Sequence, residues 1–250
     1  RPTTRGNRPW LGNGFRAGHP TVTPCRPGLG RSRLDRFRLG GQKLFITGGG
    51  RGLGREMALA IAEAGADVIL VGRDGESLQK TTEDIHSLGR QAWSFQRDMA
   101  QPTECAETCH EALAQHGPID ILINNVGGRR ENIPTEDMTL DKWRELMDLN
   151  LTSAFQCTRC LGKHMIDRGK GGSIINIGSL ASISALGRRH LSYSMAMGAV
   201  VQMTRELSTE WAGLGARGNA VLPAQGLHPG PCPSTQLPAP APASVEHHER

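Results

Sequence analysis

The chain contains no run of eighteen apolar residues, and only 4% of its residues are aromatic. A helix that crosses a membrane needs about twenty consecutive apolar residues, so we expect no membrane span. Cysteine is also sparse, with six residues at no regular spacing among 250. In a chain of this length, such cysteines indicate reduced intracellular thiols instead of a disulfide framework. We therefore expect a cytoplasmic protein without a membrane partner.

One pair of cysteines, Cys157 and Cys160, has C-x-x-C spacing and falls inside a helical pattern. Structural zinc sites need a second pair at similar spacing, and no other C-x-x-C occurs in the chain. We expect no metal site, and we favour a packing role for this pair over a redox role.

Basic residues are concentrated at the N-terminus. Residues 1–38 hold nine arginines, no lysine and one acid, Asp35, whereas the rest of the chain has 20 basic and 23 acidic residues. The pI of about 9.1 therefore belongs to this segment and not to the body of the chain. No basic stripe with interleaved aromatics occurs in the body, so we expect no nucleic-acid partner.

Two segments lack any apolar period. Residues 1–38 are rich in Arg, Pro and Gly, and residues 224–250 include Pro-Ala-Pro-Ala-Pro. Both compositions favour disordered tails, which leaves one folded domain at residues 39–223. The composition of both tails is unlike that of the domain, and a shifted reading frame or a chimeric end would produce such tails. Resequencing of the coding DNA tests this hypothesis, and an intact frame at both ends would refute it.

Between the tails, short apolar strands alternate with amphipathic helices. This pattern predicts an α/β fold with a Rossmann-type, doubly wound parallel sheet in a three-layer α/β/α arrangement. Ligands of such sheets bind beyond the carboxyl ends of the strands. The expected strands lie at about 42–47, 67–71, 91–97, 119–124, 172–178 and 217–222, and the expected helices near 52–65, 75–88, 102–116, 140–168 and 192–214.

The first strand runs directly into a glycine-rich turn, Thr-Gly-Gly-Gly-Arg-Gly-Leu-Gly at residues 47–54. Gly48, Gly52 and Gly54 are spaced for a tight turn, for close approach of backbone N–H groups to a pyrophosphate, and for close packing of helix on strand. The following helix N-terminus supplies unpaired N–H donors. Strand, turn, helix and second strand occur in the required order, so this segment predicts a dinucleotide site. A glycine turn without a ligand is the alternative.

Several further residues fall in the order and spacing of one family. The turn at 47–54, Asp98, the segment Asn124–Gly127, Asn150, Ser179 and Tyr193 together resemble the short-chain dehydrogenase/reductases. The resemblance covers roughly residues 38–223. Residues 129–211 are most similar to gluconate 5-dehydrogenases and the related 3-oxoacyl-carrier-protein reductases. The family resemblance implies an oxidoreductase that transfers a hydride between a nicotinamide cofactor and a carbonyl or secondary alcohol.

The end of the second strand predicts the cofactor. An acid there would bind the ribose 2′-hydroxyl of NAD, but this strand ends in Gly72 followed by Arg73. A guanidinium suits a 2′-phosphate, and Arg51 adds a second cation, so we expect NADP over NAD. Arginines that merely face solvent are the alternative.

The resemblance also implies cofactor contacts from Leu53 in the turn, from Asp98 to the adenine amino group, and from Asn125, Val126 and Gly127 on the ribose side. A buried Asn pair can equally tie neighbouring strands together, and we expect that structural role for Asn124.

The catalytic residues are also assigned through the resemblance. Tyr193, the only tyrosine of the chain, would transfer the proton, Ser179 would orient the substrate oxygen, and Asn150 would hold a proton-relaying water. The family has lysine four residues after the tyrosine, but this chain has Met197. A tyrosine without a cationic neighbour has a pKa of about 10, so only about one molecule in a thousand is phenolate at pH 7. We therefore expect impaired turnover.

Arginines follow two of the strands at the same edge of the sheet. Arg129 and Arg130 follow the fourth strand, and Arg188 and Arg189 follow the fifth. They predict an anionic small-molecule substrate such as a sugar acid or a phosphopantetheine-linked acyl group. Solvated loop arginines are the alternative.

The chain departs from the family once more after its sixth strand. There the family continues with a substrate lid, a further helix and a seventh strand, which we expect to be missing here. An alternative function is therefore a nucleotide-binding protein with weak catalysis, and an unstable truncated product is a third possibility. In the family the helices at 140–168 and 192–214 pair subunits, so the resemblance implies a homo-oligomer, either a dimer or a tetramer.

Overall fold

The computed structural model describes residue 35 and residues 37–128 and 130–224. Its six strands are β1 (Lys43–Thr47), β2 (Asp67–Gly72), β3 (Ala92–Gln96), β4 (Ile121–Asn124), β5 (Gly172–Ile177) and β6 (Ala216–Val221). Its six helices are α1 (Gly52–Glu63), α2 (Gly75–Ser87), α3 (Pro102–His116), α4 (Leu140–Met147), α5 (Ser153–Asp167) and α6 (Leu191–Glu210). The alternation predicted from the sequence is confirmed.

The six strands form one parallel sheet in the order β3-β2-β1-β4-β5-β6. The order reverses between β1 and β4, and the loops after these two strands open onto the same edge. This is the switch point at which doubly wound sheets bind ligands. The predicted Rossmann-type fold is confirmed.

Two apolar cores cover the two faces of the sheet. On one face, Phe45 and Leu122 pack against the buried side chains of α3 and α5. On the other face, Leu44 and Ile123 pack against α1 and α2. The central strands are apolar on both sides because helices cover both faces, which is the three-layer arrangement expected from the sequence.

The segment predicted as one helix at 140–168 is divided in the structure. A π-helical turn, Asp148–Thr152, separates α4 from α5 and contains the buried Asn150. A π turn widens a helix by one residue and re-aims the side chains that follow. The apolar period of the sequence continues across this turn and therefore does not reveal it.

Within the described ranges, no helix is long and apolar enough to cross a membrane. Residues 1–34, 36, 129 and 225–250 lie outside the described residues. The prediction of disordered tails falls almost entirely on them, as do the expected loss of the lid, the last helix and the seventh strand, and these stay predictions.

Candidate active site

The glycine turn after β1 is shaped by close backbone packing. Gly48 and Gly52 adopt positive φ angles of 71° and 55°, which side chains strongly disfavour. A Cβ on Gly54 would collide with the Gly48 carbonyl oxygen and would lie 2.6 Å from Asn125 Nδ2. The turn therefore packs directly against the first turn of α1. Leu53, in that same turn, is more than half exposed.

A cleft of about 610 Å³ opens at the carboxyl edge of the sheet, and we call it the carboxyl-edge cleft. Its walls include the glycine turn, the ends of β2 and β3, and the segment after β4. The side chain of Arg51, which precedes α1, makes no capping hydrogen bond, so it leaves the first N–H groups of α1 available to an anion. The volume suits a drug-sized or cofactor-sized ligand.

Two arginines line this cleft near the end of β2. Arg73 follows Gly72, is about half exposed, and lies 3.9 Å from the Asp98 carboxylate. Arg51, in the glycine turn, lines the same cleft. Asp98 itself is held by the first turn of α3, since its backbone N–H donates to the Glu104 carboxylate at 2.9 Å. The predicted cofactor-selecting residues are therefore brought to one place.

Sequence reasoning missed one carboxylate in this group. Asp74 also lines the cleft and caps α2 by accepting a hydrogen bond from the backbone N–H of Ser77. Hydrogen bonds from the side chain and backbone of Ser77 hold the pKa of Asp74 below its ordinary value, with the Arg51 charge as a smaller cause. The Asp-x-x-Ser spacing before an apolar helix is the sequence signal that could have revealed it.

Asn124 ties the interior of the sheet, as expected from the sequence. Its Nδ2 donates to Asn176 Oδ1 on β5 at 2.8 Å and to Thr158 Oγ1 on α5 at 2.9 Å. Asn176 Nδ2 in turn donates to Thr204 Oγ1 on α6 at 2.9 Å. This buried network joins two strands and two helices beneath the cleft.

The next residue, Asn125, joins β4 to the glycine turn. Its Nδ2 donates to the backbone carbonyls of Thr47 at 3.2 Å and Gly48 at 3.1 Å. The Thr47 hydroxyl oxygen accepts hydrogen bonds from the backbone N–H groups of Asn125 and Val126. Asn125, Val126 and Gly127 all line the cleft, as the resemblance implies for cofactor contacts.

Asn150 is committed to the backbone of the loop after β4. Its Oδ1 accepts from the Gly128 N–H at 2.8 Å, while its Nδ2 donates to the carbonyls of Gly128 and Leu146. A Cβ on Gly127 would lie 2.9 Å from Asn150 Oδ1. The π turn thus places the buried side chain of Asn150 where its hydrogen bonds hold the loop that borders the cleft.

Ser179 and Tyr193 lie on consecutive elements at the same carboxyl edge. Ser179 follows β5 and caps a short 3₁₀ turn, Leu180–Ser182, which packs against α6. Tyr193 lies in the first turn of α6, half-buried, with its ring edge-to-face on His190 at 5.9 Å between centroids. Met197 follows one helical turn later on the same face and is only 3% exposed.

Of the four arginines expected to frame a substrate, the three within the described residues lie in two places. Arg130 lines the carboxyl-edge cleft, in a left-handed backbone conformation at φ 58°. Arg188 and Arg189 lie just before α6, the first half-buried and the second exposed. Arg129 lies outside the described residues. Arg130 therefore lines the same cleft as Arg73.

A second cavity, of about 340 Å³, lies at the start of α6. Two of the residues that line it, Leu191 and Ser192, directly precede Tyr193 in the sequence. The cavity is lined by Thr135, Met138, Leu140, Trp143, Leu191 and Ser192. Most of these side chains are apolar, and sequence reasoning did not single them out. These residues come together only in the tertiary structure, because α4 and α6 are more than forty residues apart in the sequence and pack against each other in the fold.

Comparison with known proteins identifies the family. The family model of the short chain dehydrogenases matches residues 42–227. The chain is 35% identical over 196 residues to a galactitol 2-dehydrogenase of Rhizobium johnstonii, covering 77% of this chain and 74% of that protein. It is 36% identical over 190 residues to a 2-dehydro-3-deoxy-D-gluconate 5-dehydrogenase of Dickeya dadantii, covering 76% and 74%.

A solved structure agrees with these matches. A gluconate 5-dehydrogenase from Burkholderia cenocepacia, in complex with NADP and tartrate, superposes with a TM-score of 0.71 at 35% identity, covering 77% of this chain and 74% of that chain. The fold, the glycine turn and these relatives agree, and the chain belongs to the short-chain dehydrogenase/reductase family of oxidoreductases.

Proposed function

We propose that this chain binds NADP and transfers a hydride between its nicotinamide and a carbonyl or secondary alcohol of an anionic small molecule. The observation that carries the proposal is the carboxyl-edge cleft, where the glycine turn leaves no room for a Cβ at Gly54. That close approach suits a pyrophosphate cradled by backbone N–H groups. A keto sugar acid or a 3-oxoacyl thioester is the substrate class we favour, because the relatives include gluconate and deoxygluconate dehydrogenases.

The preference for NADP over NAD rests on charge at the mouth of the cleft. Arg51, Arg73 and Arg130 line it, and β2 ends in Gly72 where an acid would repel a 2′-phosphate. A planar guanidinium binds a phosphate through paired hydrogen bonds. The NADP complex of the Burkholderia cenocepacia relative supports this assignment, whereas a carveol dehydrogenase neighbour from Mycobacterium avium has NAD.

The catalytic roles of three side chains are proposed from the family resemblance. When bound, the nicotinamide supplies or accepts the hydride. The Tyr193 hydroxyl gives a proton to the substrate oxygen or takes one from it, and the Ser179 hydroxyl orients that oxygen. Asn150, with its amide held by backbone groups, positions the loop and a relaying water.

Met197 weakens this arrangement. A thioether carries no charge and is only a weak hydrogen-bond acceptor, so it cannot stabilise a phenolate one turn away. General acid–base catalysis contributes about 10²–10⁴-fold to rate, and we propose that much of this factor is absent. The competing function is a catalytically weak NADP-binding protein of the same fold, which the uncharged side chain at Met197 favours.

We further propose that α5 and α6 pair copies of the chain into a dimer or tetramer in the cytoplasm. Each helix exposes a large apolar side chain, Phe155 at 47% and Met195 at 48%. Light scattering of the purified protein tests this, and a monomer at micromolar concentration would refute it.

The test of the proposed function compares the protein with its Met197→Lys variant. Turnover of NADPH is measured with 5-ketogluconate and with an acetoacetyl thioester. The proposal expects low activity that rises about 10²-fold or more with lysine. Leu88→Lys, at the exposed end of α2 and outside the two helices proposed to pair, is the matched control and should leave turnover unchanged.

Two further measurements separate the alternatives. Fluorescence titration with NADPH tests binding independently of chemistry, and tight binding without rescue by lysine would favour the weakly catalytic protein. If the folded protein did not bind NADPH, both the NADP-dependent reductase and the weakly catalytic NADP-binding protein would be refuted. For the substrate, Arg188→Ala should raise KM for an acidic substrate and leave a neutral ketone unchanged, and equal effects on both would exclude the anionic class.

A further inference from the structure

The loop between β2 and α2 lies beside the end of the neighbouring strand, and we call it the β2–α2 loop. It consists of Arg73 and Asp74, between Gly72 at the end of β2 and Gly75 at the start of α2. β3 is at the edge of the sheet, and its last residue, Gln96, pairs in register with Gly72. The end of β3 is therefore the part of the sheet that can hold this loop from the side.

Gln96 makes a side-chain hydrogen bond to the loop. Its Nε2 donates to the backbone carbonyl of Arg73 at 3.1 Å, although the two residues are 23 positions apart in the sequence. Both residues line the carboxyl-edge cleft. In the sequence Gln96 is only a polar residue at the end of a strand, so this contact becomes visible in the fold alone.

Gly75 leaves the space that the Gln96 amide occupies. A Cβ on Gly75 would lie 2.8 Å from Gln96 Oε1, which is closer than such atoms ordinarily approach. Gly75 is not among the glycines with a positive φ, so its backbone conformation does not itself require glycine. The missing side chain at this position therefore fits the placement of the Gln96 amide against the loop.

The residues that follow Gln96 hold the same loop at two more points. The backbone N–H of Arg97 donates to the Gly72 carbonyl at 2.8 Å. The Asp98 carboxylate lies 3.9 Å from the Arg73 guanidinium. An arginine side chain has many rotamers, and a backbone that is already fixed reduces the ordering that a ligand must impose on it.

We propose that Gln96 is a positioning residue for cofactor selectivity, because its hydrogen bond fixes the backbone from which the Arg73 guanidinium reaches a 2′-phosphate. The inference rests on the proposed function, which assigns Arg73 to that phosphate of NADP. NADH has a hydroxyl in place of the phosphate, so the position of Arg73 matters for NADPH alone. The hydrogen bond is exposed, and we expect its loss to weaken NADPH binding roughly two- to fivefold.

Two other roles of Gln96 predict different results. A direct contact with the adenosine, which both nucleotides share, would affect NADPH and NADH equally. A purely structural role, in which Gln96 only stabilises the fold, would lower the melting temperature and leave the ratio of the two affinities unchanged.

The first test is fluorescence titration of the full chain with NADPH and with NADH. Gln96→Met keeps most of the side-chain length but has no N–H to donate. It should weaken NADPH binding roughly two- to fivefold and leave NADH unchanged, and it should have no effect on either nucleotide in an Arg73→Ala background. The matched control is Gln115→Met, because the Gln115 amide bonds to Glu111 on its own helix α3.

A second variant disturbs the same hydrogen bond and keeps Gln96. Gly75→Ala places a methyl group against the amide, so it should weaken NADPH binding by a similar factor. Its melting temperature should equal or exceed that of the parent, because alanine is a better helix former than glycine. In a Gln96→Ala background the methyl group meets no amide, and Gly75→Ala should then have no further effect on binding.

The outcomes separate this inference from the proposed cofactor. If the parent prefers NADPH and Gln96→Met leaves that preference intact, the inference alone is refuted. An equal loss for NADH, or a loss that persists in Arg73→Ala, also refutes it. If the parent binds NADPH no more tightly than NADH, the proposed cofactor is wrong, and the inference is refuted with it.

Discussion

At Gly54, a single added methyl group tests the close packing of the glycine turn against α1 at the proposed cofactor site. Gly54 lies in the first turn of α1, and in a helix the replacement of glycine by alanine ordinarily stabilises by about 0.5–1 kcal/mol. At Gly54, however, the new Cβ would collide with the Gly48 carbonyl and lie 2.6 Å from Asn125 Nδ2. We predict that Gly54→Ala reverses the usual sign.

The size of the expected loss of stability follows from the groups that the new Cβ would displace. Overpacking of a tight contact costs typically about 1–3 kcal/mol. Displacement of Asn125 also weakens its two hydrogen bonds to the turn, at 3.2 and 3.1 Å, each with a net value of about 1 kcal/mol. After subtraction of the helix gain, the net loss is about 1–4 kcal/mol. For a domain of this size, that corresponds to a fall in melting temperature of roughly 2–16 °C.

The assay is thermal unfolding by circular dichroism, together with NADPH binding by fluorescence. The matched control is Gly198→Ala in α6, where the nearest atom to a new Cβ is the Ser182 carbonyl oxygen at 3.8 Å. This control should melt at or above the temperature of the parent, with unchanged NADPH binding. If Gly54→Ala also melted at or above the parent temperature and bound NADPH normally, the close approach of turn and helix would be wrong.

Two further predictions concern the cofactor charge and the buried network. Arg51→Ala and Arg73→Ala should each weaken NADPH binding about tenfold and leave NADH unchanged, because a charge-assisted hydrogen bond to the 2′-phosphate contributes about 1.5–3 kcal/mol before its exposure is considered. Titration of both nucleotides checks this, with Arg205→Ala on α6 as control, and an equal loss for NADH would refute it. Asn176→Ala should lower the free energy of unfolding by about 2–4 kcal/mol, since it removes a buried link between Asn124 and α6. Urea denaturation measures this loss, and a change below 1 kcal/mol would show that the network carries little stability.

The parallel sheet and its glycine turn could be predicted from the sequence because both are written in local patterns. Apolar strands alternating with helices of period 3.6 require a sheet covered on both faces. Positions such as Gly48 need a backbone conformation that only glycine adopts readily, and its φ of 71° agrees with that requirement. The single tyrosine and the methionine one turn after it were also visible without the fold.

Other features depend on contacts between distant segments. The π turn around Asn150 divides a segment whose apolar period is continuous, and the hydrogen bonds of Asn150 reach Gly128, in a loop twenty-two residues earlier. Arg130 follows β4, but only the fold shows that it lines the same cleft as Arg73. Spacing along the chain contains no information on such neighbours.

The sequence alone determined the class of fold, the position of the glycine turn and the presence of Met197 one helical turn after Tyr193, because each depends on residue type within a few positions. Only the tertiary structure decided that Asn150 is hydrogen-bonded to the loop after β4, that Asp74 shares the cleft with the arginines, and that Asn176 links Asn124 to α6. These depend on how helices more than forty residues apart pack onto one sheet, and that packing is set by the whole core.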